Sequence, residues 1–101
     1  MTFTRTDKGN TTLIKIEGAL DALSTPEIRP TIEAVIEEKR PRVEVDLAAL
    51  RLIDSSGVGA LISLYKRLRA NGGDLVIKGL KDQPLAIFKL LRLERIFAPG
   101  R

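Results

Sequence analysis

The residues of this 101-residue chain that could carry chemistry are few, and they concentrate in one short run, Asp54-Ser55-Ser56-Gly57-Val58-Gly59. Two adjacent hydroxyls follow a carboxylate and precede two glycines, where an apolar run changes its rhythm. Histidine and cysteine are both absent. A Ser-His-Asp triad therefore cannot be assembled, nor any mechanism that uses imidazole as general base. Zinc and most other transition metals lose their usual ligands, so no metal site is expected. Carboxylate-only catalysis would fall to Asp21, Asp46 or Asp54, residue types that also serve as caps and surface groups, and no enzyme is expected. The motifs GxxxxGK[ST] and GxGxxG do not occur, so neither a nucleotide nor any other cofactor is expected.

Two readings of Asp54-Ser55-Ser56-Gly57 stand side by side. In one, the segment starts a helix, with Asp or Ser accepting a backbone N–H; Ser56 is the expected cap. In the other, a serine is modified by a second protein. The start of a helix offers free N–H groups and the positive end of the macrodipole, so a phosphate there meets favourable dipoles. That phosphate adds roughly −1.5 to −2 charge to the surface. Gly57 and Gly59, lacking Cβ, allow close approach by another backbone or by a bulky group.

The elements that must position this run follow from periodicity. "TFTRT", the turn "DKGN" and "TTLIKIEG" read as a hairpin, with Gly18 ending the second strand. Ser24 and Glu27 fit a capping box with Pro26 in the first turn, and Ile28, Ile32, Val35 and Ile36 share one helical face. Pro30 predicts a late or distorted helix start. "RVEVDLAAL" alternates as a strand, and "RLI" leads into the serine run. Val58, Leu61, Ile62, Tyr65 and Leu68 then form a helical stripe that leaves Lys66, Arg67 and Arg69 outside it. Asn71-Gly72-Gly73 stops that helix, "DLVIKG" reads as a buried strand, and Asp82 with Pro84 opens a third helix carrying Leu85, Ile87, Phe88 and Leu91 inward. "RIFAPGR" is a tail able to add a short last element. The order β-β-α-β-α-β-α implies an α/β fold with a mixed, mostly parallel sheet of about four strands, and places the serine run at a strand's C-terminal end.

Composition sets the remaining bounds. An apolar fraction of 44% and a charged fraction of 30% are those of a globular protein, and the length suits one domain over residues 1–101. The longest charge-free stretch, Ser55–Tyr65, is 11 residues. This is well short of the ~20 needed to span a bilayer, so membrane insertion is not expected. The N-terminus has no apolar leader and cysteine is lacking, both of which suit a cytoplasmic protein. Residues 1–50 carry seven Lys/Arg against nine Asp/Glu, net −2, and residues 51–101 carry ten against four, net +6. The basic residues are interspersed and aromatics are only four, so direct nucleic-acid binding is not expected.

Against this background, "VEVDLAALRLIDSSGVGALISLYKRLRANGGDLVIKGL" resembles the STAS domains of bacterial anti-sigma factor antagonists. So do "IEGALDALSTPEIR" and "LKLLRLERIF", and the likeness spans nearly the whole chain. Ala19 departs from the charged or polar residue often found at that position. The resemblance implies a STAS fold and partner switching. The unmodified domain would bind an anti-sigma factor that is also an ATP-dependent serine kinase; phosphorylation would release it, and a serine phosphatase would reset it. By position, the phosphoacceptor would be Ser55. Asp21, Asp54, Ser56, Gly57, Val58 and Gly59 would fall in the partner-binding region. A different role, as a STAS subunit of a stress-signalling scaffold or of a lipid or anion transporter, fits the same resemblance.

Overall fold

The alternation of Thr12, Ile14 and Ile16 with more exposed neighbours makes the second strand the spine of the sheet in a computed structural model that describes residues 1–99. Strand β1 (Thr2–Lys8) pairs antiparallel with β2 (Thr11–Leu20) through a two-residue turn. Two further strands then lie parallel to β2 in succession. β3 (Arg42–Asp46) runs beside Thr11–Lys15, and β4 (Leu50–Ile53) runs beside Gly18–Leu20. β5 (Asp74–Lys78) is parallel to β3, and the two-residue β6 (Ala98–Pro99) is parallel to β5. Helices α1 (Thr25–Glu37) and α2 (Ser55–Ala70) form the crossovers, and α3 (Asp82–Leu90) follows β5. The observed order is therefore β-β-α-β-β-α-β-α-β, with six strands in the mixed sheet where about four were expected.

Three differences from the sequence reading have local causes. Gly18 does not end β2. It takes φ +91°, a left-handed value open to glycine, at a register shift, and the strand continues to Leu20. "RLI" is not a lead-in but the separate strand β4, because Leu50 N–H turns back onto the Leu47 carbonyl and restarts the chain alongside β2. Pro30 does not delay α1, which is helical from Thr25. Pro30 is exposed, and the carbonyl it leaves without its usual donor, that of Pro26, belongs to an exposed residue of the first turn, where the loss of one helical bond costs least.

The core faces of α1 and α2 meet over the sheet. Ile28, Ile32, Val35 and Ile36 are buried as the periodicity predicts. On α2 the fully buried stripe is Val58, Leu61, Leu64 and Leu68, while Ile62 and Tyr65 are half-buried at its margin. Leu64 was absent from the expected stripe and Ile62 stood in its place. Arg67 joins the two helices from outside by two hydrogen bonds to Glu33, at 2.6 and 2.8 Å.

The third helix departs more. Lys81, not Asp82, occupies the N-cap, and Asp82 takes φ 53°. Phe88 enters the core against Phe97, with Leu85 and Ile87 half-buried. Leu91 is exposed instead of buried, because the chain turns at Arg92 (φ 55°) and sends Leu93 inward. The tail supplies β6, and its final residues 100–101 lie outside the described residues.

Leu64 is 1% exposed. Leu64→Ala is expected to cost roughly 2–5 kcal/mol in urea unfolding with an unchanged m-value. Ile62→Ala is expected to cost less than half as much.

Candidate functional site

The serine run begins where β4 ends, and one carboxylate organises it. Asp54 is extended (φ −115°, ψ −172°), the backbone of an N-cap. Its Oδ1 accepts from Ser56 N–H at 2.9 Å and Gly57 N–H at 3.1 Å, and its main-chain carbonyl accepts from Val58 N–H at 3.0 Å. Asp54 is thus the cap of α2, and Ser56, the expected cap, supplies only a backbone donor. An acidic cap was preferred here because a carboxylate also opposes the positive end of the helix dipole.

The other oxygen of Asp54 reaches across the chain. Oδ2 accepts from Ala22 N–H at 3.2 Å, which ties the start of α2 to the loop between β2 and α1. That loop is itself a closed hydrogen-bonded turn. Asp21 Oδ1 accepts from Leu23 N–H and Ser24 N–H at 3.1 and 3.0 Å. Ser24 Oγ accepts from Asp21 N–H at 2.9 Å and donates to the Ala19 carbonyl at 2.8 Å. The Thr25 hydroxyl donates to the Asp21 carbonyl. The capping box expected of Ser24 and Glu27 is consequently absent: the Ser24 hydroxyl is spent on the turn, and Glu27 N–H bonds the Ser24 carbonyl instead. Donation by the Ser24 backbone N–H, foremost, holds the Asp21 carboxyl below the usual aspartate range.

This clamped pair of turns sorts the serine run into outward and inward residues. Ser55 is exposed, Ser56 and Asp54 are half-buried, and Gly59 is exposed. Gly57 and Val58 are buried within the domain, so their contribution to any contact runs through the backbone they shape. The close neighbour that Gly57 admits is internal. A Cβ there would lie 2.5 Å from the Leu20 carbonyl oxygen and 2.7 Å from an Ile53 side-chain carbon. Gly59 has nothing within 4 Å of the same position. The free first-turn N–H groups envisaged for a phosphate are also reduced, since Asp54 already takes two of them. A phosphate on Ser55 would stand beside that carboxylate and project into solvent.

Beside the run lies a shallow groove of about 280 Å³ between the helices. Ala22, Thr25, Pro26 and Arg29 form one wall; Ser56, Gly59, Ala60 and Ser63 form the other. Above the turn, Leu23 is 89% exposed, an apolar side chain presented to solvent beside two acidic turns. Sequence reasoning missed Leu23, Arg29 and the groove. The heptad-like pattern of α1 identifies its inner face only, and a leucine beside a capping sequence reads as a packing residue.

With the geometry in hand, comparison with known proteins defines the class. The family model described as Mlab, STAS domain matches residues 3–98. The chain belongs to the STAS domain family. Among curated relatives, the anti-sigma-B factor antagonist of Listeria monocytogenes is 28% identical over 83 residues, covering 82% of this chain and 73% of the relative. That of Staphylococcus epidermidis is 28% identical over 81 residues, covering 80% and 75%. Among solved structures, an anti-sigma factor antagonist from Mycobacterium paratuberculosis superposes with TM-score 0.88 at 21% identity, covering 97% of this chain and 83% of its own. The Bacillus cell fate determinant SpoIIAA in its phosphorylated form superposes with TM-score 0.78 at 22% identity, covering 99% and 92%. These likenesses establish the same fold.

The two glycines should separate cleanly. Gly57→Ala is expected to destabilise the domain by about 1–3 kcal/mol, because neither the Leu20 backbone nor the β4 core can recede freely. Gly59→Ala should be neutral or stabilising by up to ~1 kcal/mol through helix propensity. Thermal and urea unfolding would measure both. For Asp21 the folded carboxyl binds its proton less readily than the unfolded one, so its contribution to stability is complete above about pH 4. It is lost as the pH falls through the lowered value. An NMR titration of the Asp21 carboxyl is expected to give a midpoint below the usual 3.8 and to report the Leu23 and Ser24 amides shifting with it.

Proposed function

We propose that this protein is an anti-sigma factor antagonist that works by partner switching in the cytoplasm. Unphosphorylated, it binds an anti-sigma factor that is also an ATP-dependent serine kinase. Phosphorylation of Ser55 releases it, and a serine phosphatase restores the binding form. The observation that carries this reading is the exposure of Ser55 at the first position of α2, next in sequence to Ser56, which lines the groove. The names of the relatives and the agreement of the fold with SpoIIAA support it.

The chemistry fits a substrate of another enzyme. The chain has no imidazole or thiolate to activate Ser55, and the adjacent Asp54 has both oxygens committed to backbone N–H groups. ATP and the catalytic base therefore come with the kinase. Asp21 and Asp54 hold the two turns that the partner meets. Ser56 and Gly59 line the groove, and Gly57 and Val58 fix the helix start from within. A phosphate on Ser55 puts roughly two negative charges next to Asp54 on the docking face, enough to alter binding without disturbing the core.

Ser55→Ala is expected to retain partner binding and lose the phosphate mass increment when incubated with the cognate kinase and ATP. Ser55→Asp should weaken binding by about tenfold, since a single added charge reproduces part of the phosphate's repulsion. Intact-mass spectrometry and calorimetry read the two effects. A mass shift that persists in Ser55→Ala would refute the assignment. Recovery of a membrane transporter complex by the unmodified protein, independent of ATP, would instead favour the role of a STAS subunit in a larger assembly.

A further inference from the structure

We infer that Gln83, at the start of α3, is a positioning residue for the serine turn. Its side-chain amide pairs with both backbone groups of Ile53: Oε1 accepts from Ile53 N–H at 2.9 Å, and Nε2 donates to the Ile53 carbonyl at 2.9 Å. An amide side chain carries the same donor–acceptor pair as a peptide unit. Gln83 therefore acts as a one-residue strand on the edge of β4 that faces away from β2. On the β2 side the next bond is Asp54 N–H to the Leu20 carbonyl, at 3.3 Å. Ile53 is thus held from both edges at the last residue before the cap.

The consequence follows along the chain. Ile53 is 1% exposed, and its side chain is one of the atoms against which Gly57 packs. Fixing its peptide groups fixes the direction in which Asp54 leaves the strand. Asp54 in turn sets Ser56 N–H, Gly57 N–H and Ala22 N–H, and so the orientation of Ser55. The left-handed Asp82 and buried Pro84 flank Gln83 and bring the first turn of α3 against β4. The amide also occupies an edge that would otherwise offer unpaired strand groups to another chain. Gln83 thereby links the orientation of the serine turn to the seating of α3, an element remote in sequence from every residue of the docking face.

This inference rests on the proposed phosphorylation of Ser55 for its functional half, and two measurements on the full chain separate the halves. The variants are Gln83→Met, which keeps the shape and removes both bonds, and Gln83→Glu, which keeps the acceptor and sets a carboxylate oxygen against the Ile53 carbonyl. In the free protein, amide hydrogen exchange is expected to quicken roughly tenfold at Ser56 and Gly57 in both variants and at Ile53 in Gln83→Met, with Val45 and Leu75 unchanged. An equal change at Val45 and Leu75, or none at Ser56 and Gly57, would reduce Gln83 to an ordinary packing residue and overturn the inference. With the cognate kinase, kcat for Ser55 is expected to fall about fivefold while KM stays within twofold. A rise in KM with kcat unchanged would count against positioning. If the wild-type chain takes no phosphate at all, the partner-switching reading fails, while the exchange result still decides whether Gln83 orders the turn.

Discussion

Three backbone N–H groups from two distant segments converge on the carboxylate of Asp54, and the arrangement of the proposed docking face depends on that convergence. Without it, the start of α2 would lose its side-chain cap and its direct bond to the Ala22 N–H in the loop entering α1. With it, the two segments form one polar unit whose donors are satisfied, so Ser55 can stand in solvent on a well-defined backbone. A neutral hydroxyl in the same place could accept for one helix end, but could not bridge both segments with opposite oxygens. Charge matters as well as reach, because hydrogen bonds to an ionised acceptor are the stronger ones and the helix terminus favours an anion.

The sheet distributes its tasks along its length. At the serine end the polar groups are turned toward one another across short turns. At the other end, Arg5 bonds Asp7 and Glu38, and Arg40 bonds Thr12 Oγ1 and the Gly9 carbonyl, which fastens the hairpin to the end of α1. Between them runs an apolar core from Ile14 and Val45 to Leu64 and Phe88. Stability is therefore drawn chiefly from regions that the docking face does not use. Ser55 is exposed, so the proposed modification would remove no core contact.

Much of this was legible in the sequence, and the reasons for success and failure differ by residue. Periodicity identified the inner face of α1 because Ile28, Ile32, Val35 and Ile36 are the only aliphatic set at helical spacing there. It misplaced Leu64 and Ile62 because α2 offers two overlapping apolar stripes, and only the sheet decides which one is buried. The serine run was found from residue types alone, yet the cap was assigned to Ser56, since Asp and Ser compete for the same role and sequence does not reveal which oxygen finds a second partner. Ser24 failed as a cap for the same reason: the Ala19 carbonyl and Asp21 N–H, close in space, claimed its hydroxyl. The division of one strand into β3 and β4 had no local signal, because it depends on a bulge at Gly18 in a different strand. Gln83 carried none either, as a glutamine beside a proline is an ordinary surface pair until the edge of β4 is placed against it.

The packing of Gly57 against Leu20 and Ile53 has a consequence for how such a domain can change over generations. The residue least open to replacement, Gly57, is enclosed by its own domain, whereas the proposed phosphoacceptor Ser55 stands exposed outside the core. On the proposed function, a single codon change at Ser55 would silence the switch and leave a stable, correctly folded binding module behind. The same scaffold would then be one substitution away from permanent engagement, with signalling gained or lost without a detour through unstable intermediates.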